Sequence, residues 1–232
     1  MPQLVDITAS TGIHFEHLSS PEQRYIVESM SAGVALIDLT AMAGGHVYPQ
    51  VGTADVGTKY RQPMLLFENL HNGKFKNISK LVGPAIQVPR VGRGVAYGDL
   101  FNDGRIDIVV ENLKGEPVIL QPQGLPPNHW ISFELEGTQS NRLALNARVR
   151  TTAGDLVQTG EVVSSGSYLS QPDLRLHFGL GSHDREDKAD FTWPSGKVET
   201  LTNLAAGFFY KVKEGKGIIS SEPPRSSEVN HR

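Results

Sequence analysis

Short runs in which apolar and polar residues alternate cover most of the chain, and helical spacing is weak almost everywhere. In "LRLHF", Leu174, Leu176 and Phe178 fall on one side and the polar residues between them on the other. Alternation with a period of two is typical of a β-strand buried on one face. Similar runs are "GVAYGDL", "IDIVVEN", "PVILQ", "WISFELEG", "ARVRTT", "LVQTGEVV", "KADFTW", "KVETL" and "FFYKVKEG". Because Gly, Pro, Asn and Asp separate them, the pattern predicts an all-β fold.

One phrase occurs twice, as "GVALIDL" (33–39) and "GVAYGDL" (94–100), and each copy precedes a proline-led apolar run. This repetition predicts one supersecondary unit used twice, such as a blade of a β-propeller. The proline-rich stretch "QPQGLPPNHW" ends this half, and new strands begin at Trp130. We therefore expect a repeat region in residues 1–125, a second domain in 126–216 and a disordered tail in 217–232.

The composition argues against several classes of function. A formal net charge of −3 gives no electrostatic case for binding nucleic acid or an anionic membrane. The chain of 232 residues has no cysteine, which excludes disulfides, thiolate metal sites and a cysteine nucleophile. No apolar run approaches the roughly 18–20 residues of a membrane span. The first residues also lack the basic and apolar regions of a signal peptide.

The stretch "GDLFNDGRID" places three aspartates and a glycine between two predicted strands. With Asp99 as the first position, Asp103 and Asp107 occupy the fifth and ninth. The carbonyl of Arg105 occupies the seventh. Oxygen donors crowded around a tight turn suit Ca²⁺. Phe101 stands at the third position, where such a loop needs Asp or Asn, so water would have to replace one ligand. An Asx-type turn without metal fits the same pattern, and the residues alone leave both interpretations open.

A hydrolytic site is the main catalytic alternative. Ser167, Ser170, Asp173 and His177 lie close together in the chain. They lack the G-x-S-x-G elbow, and no α/β pattern surrounds them. Alternation places His177 on the polar face of its strand, where we expect it to be solvated. The pattern therefore favours a structural role for all four, and we expect no catalytic residues.

Two tryptophans and one arginine are candidates for ligand contacts. Trp130 and Trp193 could stack against sugars, but each lies in a strand-like run, which favours packing. Arg142 follows the polar residues "SN" and is expected to be a solvated loop charge. These residues therefore add no ligand site to the expectation.

Several longer motifs resemble known families. The segment "RGVAYGDLFNDGRIDIVVEN" resembles an FG-GAP/VCBS repeat, whose loop usually has the form D-x-D-x-D-G-x-x-D. The segments "SNRLALNARVRTTAG", "SSGSYLSQPDLRLHFGLG" and "WPSGKVETL" resemble the ASPIC/UnbV domain of the cartilage acidic protein family and its bacterial relatives. The opening "LVDITASTGIHFEHL" and the phrase "GGHVYPQV" are similar to the same family.

The resemblance implies partial FG-GAP/VCBS β-propeller-like blades followed by a small β-sandwich-like ASPIC/UnbV domain. It also implies export from the cytoplasm, and it brings no catalytic residues. For the loop, it implies weak Ca²⁺ binding by Asp99, Asp103, the Arg105 carbonyl and Asp107, with Phe101 as the departure.

Three further departures from the family pattern stand out. About 125 residues hold only about two blades, and the chain is apparently shortened between Leu39 and Gly44. An export signal is not evident. Asn146 stands where the family usually has glycine, although Asn is the next best residue at a positive φ.

Together these features favour a non-catalytic binding or scaffold module, extracytoplasmic, with one degenerate Ca²⁺ loop and a protein or glycan partner. The first alternative is a carbohydrate-active or hydrolytic enzyme whose site forms only in three dimensions. The second is a truncated remnant without independent function.

Overall fold

The computed structural model describes residues 3–7, 9, 31–32, 35–38, 61, 63–69, 75–112, 115–123, 128–167 and 170–225. These residues are almost entirely β, arranged in several sheets of which none is closed, so the predicted all-β fold is confirmed. The strands are β1 (Gln3–Asp6), β2 (Ser31–Ala32), β3 (Ala35–Asp38), β4 (Phe67–Asn69), β5 (Phe75–Asn77), β6 (Gly92–Gly98), β7 (Asp107–Asn112), β8 (Val118–Gln123), β9 (His129–Glu136), β10 (Arg148–Ala153), β11 (Leu156–Glu161), β12 (Leu176–Gly181), β13 (Arg185–Thr192), β14 (Val198–Ala205), β15 (Phe208–Lys213) and β16 (Gly217–Glu222).

Two four-stranded sheets form the first half of the chain, with strand orders β2-β3-β4-β5 and β1-β8-β7-β6. All neighbouring strands in both sheets are antiparallel. The repeated phrase contributes β3 to one sheet and β6 to the other. Gly33, Val34 and Leu39 lie outside the described residues, as does the apparently shortened segment that follows them.

The second sheet is completed by β1, which lies far from its partner strand in the sequence. β1 pairs antiparallel with β8, with Gln3 opposite Gln123 and Asp6 opposite Leu120. Leu4 is buried, and its backbone N–H donates to the carbonyl of Val82 at 2.6 Å. A single apolar cluster lies beneath this part of the molecule; its members are Leu4, Met64, Leu66, Ile78, Val82, Ile86, Val95, Ile108, Val110, Val118 and Leu120.

The second half contains two more four-stranded sheets, ordered β11-β10-β13-β14 and β12-β9-β15-β16. β15 runs parallel to β9, whereas the other pairs are antiparallel. Alternate residues of the strands in both sheets, such as Phe133, Phe178 and Phe191, enter one shared buried cluster. Sheets that bury their inner faces against each other form a sandwich. We call this part of the molecule, from β9 to β16, the sandwich.

Turn chemistry in the sandwich follows the sequence closely. Gly196 has φ +89° in the hairpin between β13 and β14, as its position after Pro194 predicts. Asn146 has φ +71°, the conformation for which Asn is the best substitute for glycine. One expectation is corrected: the tail predicted to be disordered from residue 217 instead begins with β16, which pairs with β15. Residues 226–232 lie outside the described residues.

Candidate functional site

The aspartate loop, residues 99–107, connects β6 to β7. Asn102 (φ +55°) and Gly104 (φ +86°) reverse the chain direction there. The Asp99 carboxylate accepts hydrogen bonds from the backbone N–H groups of Asp103 (3.0 Å) and Gly104 (2.7 Å). At the other end, Asp107 Oδ2 accepts one from Leu100 N (3.0 Å). The first and last carboxylates therefore point inward and hold the turn closed.

Burial leaves negative charge in this loop without full compensation. Asp99 is 4% exposed and Asp107 is fully buried. Asp107 Oδ1 has no hydrogen-bond partner. Burial is the main reason that the pKa of Asp107 is raised to about 7, and burial also raises the pKa of Asp99. Removing a carboxylate from water disfavours its charged form, so both groups favour a proton or a cation.

The remaining carboxylate of the loop, that of Asp103, is paired with Arg105. Asp103 accepts hydrogen bonds from the Arg105 backbone N–H and from its Nε, both at 3.0 Å, and from its Nη2. The sequence placed the carbonyl of Arg105 at a ligand position, but it did not predict that the side chain would neutralise Asp103. The contact is local, two residues along the chain, so a basic residue beside an aspartate was its only signal.

The oxygen donors of the loop partly fit a divalent cation. The unpartnered Asp107 Oδ1 and the buried Asp99 favour positive charge, and Ca²⁺ prefers such oxygen ligands. Across the described ranges, however, no group of three or more carboxylate or imidazole side chains is arranged to hold a metal ion. An ion held by Asp99, Asp103, Asp107 and the Arg105 carbonyl would require Asp103 to leave the Arg105 side chain. Such an ion would supply positive charge to balance the buried carboxylates of Asp99 and Asp107.

Arg175 of the sandwich contacts the aspartate loop directly. Its Nη1 donates to Asn102 Oδ1 (2.6 Å) and its Nη2 to the Asp99 carbonyl (2.8 Å). On its own side, Nε donates to Asp173 Oδ2 (2.7 Å). The guanidinium carbon lies 5.0 Å from the centre of the Phe209 ring, in a cation–π arrangement. The loop is therefore one face of a contact between the two halves of the chain.

Trp130 of β9 covers another part of the loop. A Cβ atom added to Gly104 would collide with its indole, so only glycine permits this approach. The indole also stacks on His177, with ring centres 5.3 Å apart and planes 15° apart, and packs against Phe209 at 4.7 Å. The indole therefore packs against the protein, as its position in a strand-like run predicts. Trp193, 2% exposed, lies in the sandwich core as expected.

Asp173 and His177 of the hydrolytic alternative each contact a residue outside that set of four. Ser167 pairs with Ser170 in an isolated β-bridge, and its Oγ accepts from Val95 N (3.3 Å). Asp173 accepts from the backbone and side chain of Arg175. The expectation that His177 is solvated is wrong, because its ring stacks on Trp130 and burial lowers its pKa to about 4. Arg142 is exposed, as predicted.

Sequence reasoning missed a buried carboxylate in the sandwich. Glu214 is 2% exposed and is surrounded by hydrogen-bond donors from two loops. These donors are the backbone N–H groups of Thr138, Gln139 and Ser140 at 2.7–2.8 Å and the hydroxyls of Ser140 and Ser195. Burial opposes ionisation, but the five hydrogen bonds outweigh it and lower the pKa to about 2. No periodicity or motif in the sequence marks this residue.

A second buried glutamate lies on β13. Glu186 is fully buried; Oε1 accepts from Thr152 N, and Oε2 has no partner. Burial raises its pKa to about 7. Glu186 thus resembles Asp107 in its environment, although it lies within the sandwich.

Comparison with known families supports one part of the resemblance. Residues 137–219 match the family model described as ASPIC and UnbV. The matched range runs from the turn after β9 into β16, so it includes Arg175 and Glu214 but not the aspartate loop. A search of curated proteins finds none that matches the chain. No helix in the described ranges is long and apolar enough to cross a membrane. The second half of this chain is therefore similar to ASPIC and UnbV domains, a domain type without a clear enzymatic function.

Proposed function

We propose that this chain is a non-catalytic binding or scaffold module of the cartilage acidic protein-like type, working outside the cytoplasm. In this proposal the two N-terminal sheets are FG-GAP/VCBS blades, and the sandwich is an ASPIC/UnbV domain. Together they present a surface to a protein or glycan partner. The aspartate loop is a weak Ca²⁺ site that steadies the assembly.

The observation that carries the proposal is the position of the aspartate loop. Its buried carboxylates lie where β6 ends and β7 begins, and the turn between them is in contact with Arg175 and Trp130 of the sandwich. The carboxylates of Asp99 and Asp103 accept hydrogen bonds from other groups of the same loop. A charged loop placed at a joint supports a role in architecture, which is what a scaffold requires.

Calcium dependence of stability tests the metal part of this proposal. Dissociation constants for extracellular Ca²⁺ modules are about 0.1–1 mM. At ~10 mM Ca²⁺, an ion that binds only the folded chain then stabilises it by about 1–3 kcal/mol. We expect a corresponding rise in melting temperature, measured by calorimetry against a sample in chelator, and its loss in Asp103→Ala.

The matched control for this experiment is Asp155→Ala, which removes a fully exposed aspartate in the sandwich. It should respond to Ca²⁺ as the unaltered chain does. An unaltered chain without a shift, or an equal shift in Asp103→Ala, would exclude a Ca²⁺ site in the loop.

Partner binding is tested separately. The purified chain is applied to arrays of glycans and extracellular matrix proteins, with Ca²⁺ and with chelator, and is assayed in parallel on chromogenic glycosides and esters. Selective retention without turnover supports the module. Turnover that survives in the absence of retention would favour the enzyme alternative.

A further inference from the structure

The residue that shapes the aspartate loop also presents the loop to the sandwich. Asp99 turns its carboxylate inward, where it accepts the backbone N–H groups of Asp103 and Gly104. Its carbonyl points the other way and accepts Arg175 Nη2. Because one residue performs both tasks, a loop that loses the inward hydrogen bonds also loses the geometry that Arg175 recognises.

The middle of the loop adds two more contacts of the same kind. Asn102, in the left-handed conformation, accepts Arg175 Nη1 through its side chain. Its carbonyl accepts the backbone N–H of Arg225 at 2.7 Å, from the segment that follows β16. Both acceptors are correctly placed only when the turn is closed. The sandwich and the segment that follows it therefore contact groups that have this arrangement only in the ordered loop.

Shape complementarity reinforces these hydrogen bonds. Gly104 at the end of the turn lies against the Trp130 indole, and Gly98 before the loop lies against the Asp173 side chain. The backbone N–H of Asp173 donates to the carbonyl of Tyr97 at 2.9 Å. The docking surface thus extends from the end of β6 through the whole turn.

We propose that ordering of the aspartate loop and docking of the sandwich are one coupled equilibrium. The closed loop presents hydrogen-bond acceptors to the sandwich. Arg175 binds these acceptors, and the Trp130 indole packs against Gly104. Opening the loop releases the sandwich, and removing the Arg175 side chain loosens the loop. This coupling goes beyond the proposed Ca²⁺ binding and holds whether or not an ion enters the loop.

Nuclear magnetic resonance on the full chain tests the coupling. The chain has two tryptophans, so ¹⁵N labelling gives two indole N–H signals, and Trp130→Phe assigns them. We expect Asp99→Ala, which removes the hydrogen bonds that close the loop, to shift the Trp130 signal and speed its hydrogen exchange. Arg175→Gln should do the same, with docking weakened about 10- to 100-fold, since hydrogen bonds from a charged donor are lost. The Trp193 signal should stay in place, because it reports on the sandwich core.

The control is Arg148→Gln, which removes an exposed ion pair with Glu161 on the sandwich and should move neither signal. If Asp99→Ala unfolds the whole chain, Asn102→Gly supplies a milder test, because glycine keeps the positive φ and removes only the Arg175 acceptor. A Trp130 signal that stays at its original position in Arg175→Gln and in Asn102→Gly would overturn the proposal. So would loop amides that shift in Asp99→Ala while Trp130 does not.

Discussion

Asp107 in the aspartate loop and Glu214 in the sandwich are both buried carboxylates, yet their surroundings are opposite. Glu214 accepts five hydrogen bonds from three backbone amides and two hydroxyls, and its pKa is lowered to about 2. Asp107 accepts one hydrogen bond, from Leu100, and one of its oxygens has no partner. Its pKa is raised to about 7. Both side chains are shielded from solvent, but Glu214 has five donors, whereas Asp107 has one and also lies near the charges of Asp103 and Asp99, which raise its pKa further.

This difference separates two roles for a buried charge. The carboxylate of Glu214 accepts hydrogen bonds from two loops of the sandwich, and these donors stabilise its charge without a bound ion. Asp107 is completed only by something that the solution supplies, either a proton or a cation. Glu214 is therefore satisfied by hydrogen bonds within the sandwich, whereas Asp107 in the aspartate loop depends on its surroundings.

We expect the largest effect on stability from Glu214→Gln. The amide NH₂ group would face backbone N–H donors, and the charge that holds five hydrogen bonds would be gone. We expect the free energy of unfolding to fall by about 3–4 kcal/mol, as when a buried charged partner is removed. Urea denaturation at neutral pH measures this change.

Glu161→Gln is the matched control, because Glu161 is partly exposed and forms a surface ion pair with Arg148. Its effect should stay below about 1 kcal/mol, as for other surface ion pairs. Equal effects of the two substitutions would mean that the hydrogen bonds to Glu214 do not stabilise the sandwich.

The dependence of stability on pH should show the opposite behaviour of the two groups. The contribution of Glu214 is complete above its ordinary pKa of 4.5 and is lost as the pH falls toward 2. Asp107 has a folded pKa of about 7 against an ordinary 3.8. Without Ca²⁺, the unfolded chain therefore loses this proton at lower pH than the folded chain does, and the free energy of unfolding falls as the pH rises from about 3.8 to about 7. In chelator we expect Asp107→Asn to reduce the loss of stability between about pH 5 and pH 8 by about 1–3 kcal/mol.

Glu186 contributes to the same alkaline loss, since its pKa is also about 7. Asp107→Asn should therefore remove part of the loss, and adding Glu186→Gln should remove more of it. Thermal unfolding across this pH range measures both. A profile that Asp107→Asn leaves unchanged would show that the buried carboxylate is neutralised in some other way.

The smallest expected effect concerns the third position of the loop. Phe101→Asp supplies the oxygen ligand that the pattern lacks, so we expect Ca²⁺ to bind about tenfold more tightly, measured by isothermal titration calorimetry. Leu100→Asp, one position earlier and exposed, is the control and should not tighten binding. An unchanged affinity in Phe101→Asp would count against a metal in this loop.

Local patterns predicted much of this fold. Period-two alternation located β12, and the Pro194 and Gly196 pair located the hairpin between β13 and β14. Gly104 marked the tight turn. These features depend on residues a few positions apart, where conformational preference and pairing act together. The same logic placed the aspartates in a loop between two strands.

Long-range contacts were beyond such patterns. Arg175 and His177 alternate with apolar residues, which predicts a solvated face, but in the molecule that face is covered by the aspartate loop and Trp130. Glu214 lies in a short turn between β15 and β16; its donors Thr138, Gln139 and Ser140 lie more than seventy residues away in the chain, and Ser195 lies 19 residues away. Nothing near either residue in the sequence encodes the partner that it meets.

The pairing of β1 with β8 has a consequence for the order of folding. β1 precedes β8 in the chain, so its hydrogen-bond partners around Gln123 are synthesised only after the whole intervening segment. Closing so long a loop is costly in entropy and slows folding. During translation this short strand cannot pair with β8 until β8 emerges. The pairing of β1 with β8 is therefore a long-range step in the folding of this sheet.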